Sequence, residues 1–224
     1  MGHRQLLAAY RDRWVLGARA YASFDAAEEQ ATVDRFLTFM EANPRYLERD
    51  LPSTFEGNDT GCPQRSDPQV SERRVSDPHP FYGHFTGAAL VASTDLEKVL
   101  LTHHRKLDIW IQLGGHADGH PLMHQVALRE AEEESGLSDF SFLLDDGAHP
   151  LPFDLDVHRI PPRPGEPAHY HYDVRYLLTV RTERPVVSEE SYDVRWFTLR
   201  EARRLTAERS MHRQFDKLEW MRHQ

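Results

Sequence analysis

The sequence predicts an α+β domain preceded by a helical extension, and three observations predict it. After about residue 83, short β-branched and aromatic runs alternate with polar turns, the mark of strands. Among these runs lies one amphipathic helix, from about Pro121 to Ser135, and a second helical region closes the chain. Before residue 80 the pattern is helical and then rich in Pro, Asp, Ser and Arg. Runs of strands with few helices fit a layered α+β architecture.

In chain order, Leu6, Tyr10 and Trp14 recur at helical spacing between Gln5 and Tyr21, and Val33, Phe36, Leu37 and Met40 do so between Asp25 and Asn43. Such aromatic stripes read as core, not as a cofactor site. The segment from Pro44 to Pro80 reads as irregular connection. It places an N-terminal helical extension and loop at residues 1–80 and the main domain at 81–224. The domain opens with HFTGAALVAS, KVLLTHH and LDIWIQL, and continues after the helix with FSFLL, PFDLDVHRI, HYHYDVRYLLTV and DVRWFTL. Within HYHYDVRYLLTV, His169, His171, Asp173 and Arg175 alternate with Tyr170, Tyr172, Val174 and Tyr176, so one strand face is polar and the other apolar or aromatic. That pattern suits a half-exposed strand as well as a pocket wall. Thr198 with Glu201 three residues later is a capping-box signal for the terminal helical region.

Bulk properties exclude several classes. With 224 residues there is room for one domain of roughly 140 residues plus an extension. A net charge of -9 argues against an extended nucleic-acid or anionic-membrane surface, since both need clustered Lys and Arg. The single cysteine, Cys62, excludes an internal disulfide and has no His or basic context that would make it a nucleophile. The N-terminus lacks the apolar core of a signal peptide and no stretch is long enough to span a bilayer, so a reducing cytoplasm is the expected location.

The helix carries the chemistry. Pro121 suits a first helical position and Gly136 the residue just past the end. Met123, Val126 and Ala127 begin a stripe whose continuation is Glu130, Glu133 and Glu134. At about 100° per residue these carboxylates fall in a wedge of roughly 100°, where they repel unless something positive sits between them. Glu132 points elsewhere and can be solvated. Gly114 and Gly115, just upstream, let a backbone carbonyl approach an ion that a Cβ would block. Oxygen-only ligation selects Mg2+ or Mn2+. Arg129, four residues before Glu133, can orient that carboxylate by a charge-assisted pair.

Gly115, thirteen further residues and then Arg129-Glu130-Ala131-Glu132-Glu133-Glu134-Ser135-Gly136-Leu137 resemble the Nudix box, G-x5-E-x7-R-E-U-x-E-E-x-G-U with U aliphatic. One position departs: Pro121 stands where the first Glu belongs, which implies loss of an auxiliary acid and not of a metal ligand. Weaker likeness runs from about Phe81 to Leu205. The resemblance implies a Nudix-type α/β/α sandwich with a mixed sheet, and a metal-dependent hydrolase that cleaves the phosphoanhydride of a nucleoside diphosphate linked to another moiety, or of a related diphosphate. Glu130, Glu133, Glu134 and the Gly114 carbonyl would hold Mg2+ or Mn2+, and Gly115 and His116 would face a small-molecule diphosphate. His116, directly after the double glycine, would contact a phosphate or transfer a proton. Glu189 and Glu190 lie where some members keep an extra acid for the attacking water. Extensions in such enzymes shape the pocket or a dimer contact, so a homodimer is among the expected partners.

Two alternatives stand beside this reading. Isopentenyl diphosphate isomerases share the fold and place Cys-Gly-His after a Trp-containing strand, whereas here Gly114-Gly115-His116 follows Trp110 and the cysteine is missing. A catalytically decayed nucleotide-sensing module would show a degraded box, and Pro121 alone points that way. Histidines number 14, and His103, His104, His116, His120 and His124 crowd the box. Clustered imidazoles suit zinc, but no H-E-x-x-H or Cys pair accompanies them, and His120 with His124 can be a polar helix face.

Overall fold

The structure, a computed structural model, describes residues 1–16, 25–48, 82–163, 167–182, 184–189 and 191–224. Helix α1 spans His3–Arg11 and runs into a π-helical turn at Asp12–Leu16. The expected continuation to Tyr21 lies outside the described residues, as does Cys62. Helix α2, Ala26–Ala42, starts where the Asp25 carboxylate accepts from the backbone N–H groups of Ala27 and Glu28.

Strand β1, Gly83–Ser93, is the spine of an eight-stranded sheet. Its whole length pairs in parallel with β7, His169–Val180, from Gly83 opposite Tyr170 to Ser93 opposite Val180. On its other side β1 pairs antiparallel with β4, Leu113–His116, and then with β2, Lys98–His104. Strands β3, Ile109–Ile111, and β8, Ser191–Thr198, flank β2. Strands β5, Phe140–Phe142, and β6, Asp154–Ile160, both pair with β7. One parallel pair among antiparallel ones makes the sheet mixed, as expected. The run LDIWIQL, which reads as one strand, holds β3 and ends on Leu113, the first residue of β4.

Helices cover both faces. Helix α3, Met123–Ser135, packs so closely on β1 that a Cβ on Gly87 would lie 2.9 Å from Val126 Cβ. Neighbouring Ala88 points the other way and pairs in register with Arg175, whose guanidinium meets Asp154 at 3.2 Å. On that face sits α5, Arg209–Arg222, whose Arg213 and Lys217 also reach Asp154. The terminal helical region is therefore two helices. Helix α4, Leu199–Leu205, begins with the expected capping box of Thr198 and Glu201, and Thr206 to Glu208 separate it from α5.

The extension joins the same core. Phe39 stacks on Tyr172 with ring centroids 3.9 Å apart, and Phe36 meets both Phe85 and Tyr172 edge-on. Trp14 packs against Phe153 and Trp220. Beneath these rings, Lys217, fully buried, bonds Asp154 at 2.7 Å, Glu29 at 2.8 Å and the Tyr10 hydroxyl at 2.7 Å. Arg213 forks onto Asp154 at 2.9 and 2.8 Å, and Arg175 continues the network from Asp154 and Asp156 to Asp173. Charges this deep persist only when paired.

Candidate active site

The helix that bears the acids starts later than its sequence suggests. Leu122 is extended, at φ -106° and ψ 91°, and serves as the N-cap of α3, so Pro121 lies one residue outside the helix and is exposed. Its end is as expected: Gly136 takes φ 67°, open to a residue without Cβ, and donates its N–H to Glu132 at 2.8 Å.

From α3, Glu130 and Glu134 reach β4, and Glu133 faces the cavity. Glu130 takes a charge-assisted bond from Arg129 Nη2 at 2.7 Å and has little exposure. Glu134 is buried and accepts the Gly114 backbone N–H at 3.2 Å. Glu133 is largely exposed, with Arg129 Nε at 4.0 Å. Arg129 also donates to the His116 carbonyl at 3.2 Å, tying the β4 end to the helix, and its pairing with Glu130 raises its pKa further. The expected Arg129 to Glu133 pair is thus the looser of its two carboxylate contacts.

The double glycine has a steric cause. A Cβ on Gly115 would lie 2.5 Å from Glu130 Oε2, and one on Gly114 would lie 2.6 Å from Ala88 Cβ. Only a bare backbone lets β4 lie this close to Glu130 of α3 at Gly115 and to Ala88 of β1 at Gly114. Gly114, Gly115, His116, Arg129, Glu130 and Glu133 all line one cavity of about 650 Å³. Glu134 sits behind its wall. Glu189 is exposed in the segment before β8 and does not line the cavity, and Glu190 lies outside the described residues.

The opposite wall comes from the polar face of β7. His169, His171 and Asp173 line the cavity, and Asp173 accepts from Thr86 Oγ1 at 3.0 Å. Next to them are His84 on β1, His116 on β4 and His158 on β6. The His84 ring lies 5.0 Å from that of His116 and 4.8 Å from that of His171. The His116 and His158 rings are 5.1 and 5.3 Å from His171. Burial, with four other imidazoles around it, pushes His171 far below the ordinary histidine range. Of the histidines that crowd the box in sequence, His116 alone joins this group. His103 bonds Asp108 and stacks on Trp110, His120 accepts the Leu122 N–H, and His124 meets Phe142 and Tyr176. Sequence reading passed over His84 and His158. Their signal was the period of two: His84 and Thr86 around Phe85, and Asp154, Asp156 and His158 along β6.

The family model of the NUDIX domain matches residues 84–218, well over half of the chain. No curated protein sequence matches it. Among solved structures, a NUDIX-family hydrolase of Clostridium perfringens is 22% identical, with a TM-score of 0.50 over 62% of this chain and 97% of that one. An Ap4A hydrolase of C. elegans is 14% identical, with a TM-score of 0.49 over 61% and 96%. The NUDIX domain of Shewanella oneidensis NrtR, cocrystallised with ADP ribose, is 15% identical, with a TM-score of 0.46 over 70% and 94%. At such identities the likeness is one of fold.

Proposed function

The chain belongs to the Nudix family, and on that premise we propose that it hydrolyses a phosphoanhydride in a nucleoside diphosphate linked to another group, or in a related small diphosphate. The observation that carries this reading is the meeting of α3 with the double glycine: Glu130 lies against Gly115, Glu134 accepts the Gly114 N–H, Glu133 lines the same cavity, and Arg129 contacts Glu130 and Glu133. Hard carboxylate oxygens fit Mg2+ or Mn2+. The cradle is shaped for it, since a side chain at Gly115 would displace the Glu130 carboxylate.

When bound, Mg2+ or Mn2+ would be held by Glu130, Glu133, Glu134 and the Gly114 carbonyl, and it supplies positive charge against the phosphates and acidifies the attacking water. Arg129 acts by position, fixing Glu130 directly and the β4 end through the His116 carbonyl. The Gly114 N–H fixes Glu134. His116 would contact a phosphate oxygen or carry a proton to the leaving group. In the reaction a water oxygen bonds to phosphorus, the P–O bond of the anhydride breaks, and one proton leaves with the products.

The test is to incubate the protein with small diphosphates and Mg2+ or Mn2+ in 18O-labelled water. Label is expected in one phosphate-bearing product. A diphosphate returned isomerised and without label would place the protein with the isomerases, and absence of any turnover across nucleotide diphosphates would favour a sensing module.

A further inference from the structure

The carboxylates account for one wall of the cavity, and the histidines of the other wall have no part in that reading beyond His116. His84, His116 and His171 come from three neighbouring strands, brought together by register: His84 pairs with His171 across β1 and β7, and His116 pairs with Thr86 across β4 and β1. One ring nitrogen from each lies within 4.8 Å of the others. His171 Nε2 is buried and meets no hydrogen-bond partner among the described residues. Two further imidazoles flank the group with their Nδ1 atoms engaged, His158 by Asp156 at 3.0 Å and His169 by the Pro167 carbonyl at 2.9 Å. A carbonyl can only accept, so the neutral His169 ring carries its proton on Nδ1 and its lone pair on Nε2. Outer partners of this kind are what fix ligand imidazoles around a metal.

We propose that His84, His116 and His171 form a second metal site, for Zn2+ or a similar borderline transition-metal ion, distinct from the carboxylates of α3 and open toward the cavity. Nitrogen ligands select such ions, whereas the all-oxygen group on α3 selects Mg2+ or Mn2+. Tetrahedral Zn2+ with bonds of about 2.0–2.1 Å needs ligand nitrogens about 3.3 Å apart, so the ring nitrogens, now within 4.8 Å of one another, must close by up to about 1.5 Å. Three protein ligands leave a fourth position, and because His116 and His171 line the cavity that position faces any molecule within it. This site does not depend on the hydrolase reading, since its readout is metal binding and not turnover.

The untagged full chain, stripped with a chelator that is then removed, is titrated with Zn2+ alone by calorimetry and with Co2+ alone in the visible spectrum. One equivalent of Zn2+ is expected, with Co2+ giving the intense bands of a low-coordinate nitrogen site. His116→Gln and His171→Asn should each weaken Zn2+ binding about 100-fold or more, while Glu133→Gln leaves it unchanged. Circular dichroism in chelator checks that each variant is folded. In the unmutated protein, the ring NMR signals of His84, His116 and His171 should move on adding Zn2+ while those of His120 and His212 stay. Zn2+ binding that survives both histidine variants, that is lost in Glu133→Gln, or that leaves the three ring signals in place overturns the proposal, as does absence of saturable binding.

Discussion

Around Asp154, four acids, Glu29, Asp154, Asp156 and Asp173, meet three cations, Arg175, Arg213 and Lys217, at distances from 2.7 to 3.2 Å. On α3, Arg129 meets two of the three acids, Glu130 and Glu133, and Glu134 accepts the Gly114 N–H. The two groups lie in one fold and differ in place: the first is mostly buried, whereas Glu130 and Glu133 of the second line the cavity. A nearly cancelled group, deep and dry, contributes to structure, because every member that leaves strands another. Carboxylates that border a cavity stay within reach of a cation that enters it, and so retain affinity for one.

This contrast is broken most severely at Lys217. Lys217→Met should cost about 4 kcal/mol of stability, because it leaves buried Glu29 with the Tyr10 hydroxyl and the more distant Arg213 and takes a partner from buried Asp154. Urea unfolding measures it, and a loss no greater than that of Glu133→Gln would abolish the distinction. Glu133→Gln and Glu134→Gln should do the opposite. Turnover with Mg2+ should fall by roughly 10² to 10³, about 3 to 4 kcal/mol of barrier, with the unfolding midpoint little changed, and near-native rates at saturating Mg2+ would show that the metal lies elsewhere.

Acid separates the groups more gently. Burial alone would raise the Asp154 pKa, but Arg213, Lys217 and Arg175 outweigh it and lower it from 3.8 to about 2. The folded state therefore holds its carboxylate more tightly than the unfolded chain does. That stability is complete above 3.8 and is lost as pH falls toward 2, a change of about 2 kcal/mol. Unfolding curves measured above and below this window should show the loss, and Asp154→Asn should flatten it. The smallest effect belongs to Pro121. It is exposed and precedes the N-cap of α3, so Pro121→Glu should leave steady-state activity within roughly tenfold, about 1.4 kcal/mol. A gain of several orders of magnitude would instead mark the natural protein as a decayed enzyme.

What was legible in the sequence was whatever a local pattern encodes. The alternation of HYHYDVRYLLTV marked β7 to the residue, and Thr198 with Glu201 marked the start of α4. The acids of α3 followed from helical period, and the box named the family. The histidine group was illegible because it depends on which strands are neighbours, and nothing near His84 announces that β7 will lie beside it, 85 to 87 residues further along the chain. Pro121 misled for a related reason. It is a sound helix-start residue, yet the tight entry from β4 leaves Leu122 extended and moves the start to Met123.

The stacking of Phe39 on Tyr172, with Tyr10 and Glu29 closing over Lys217, bears on how this protein can be cut. The stretch recognisable by family begins at residue 84, but the core it packs around includes side chains from the first two helices. A version trimmed to the recognisable part would present Phe85 and Tyr172 to water and leave Lys217 half-partnered. Such a fragment would be sticky and short-lived in solution, although every residue of the box would still be present.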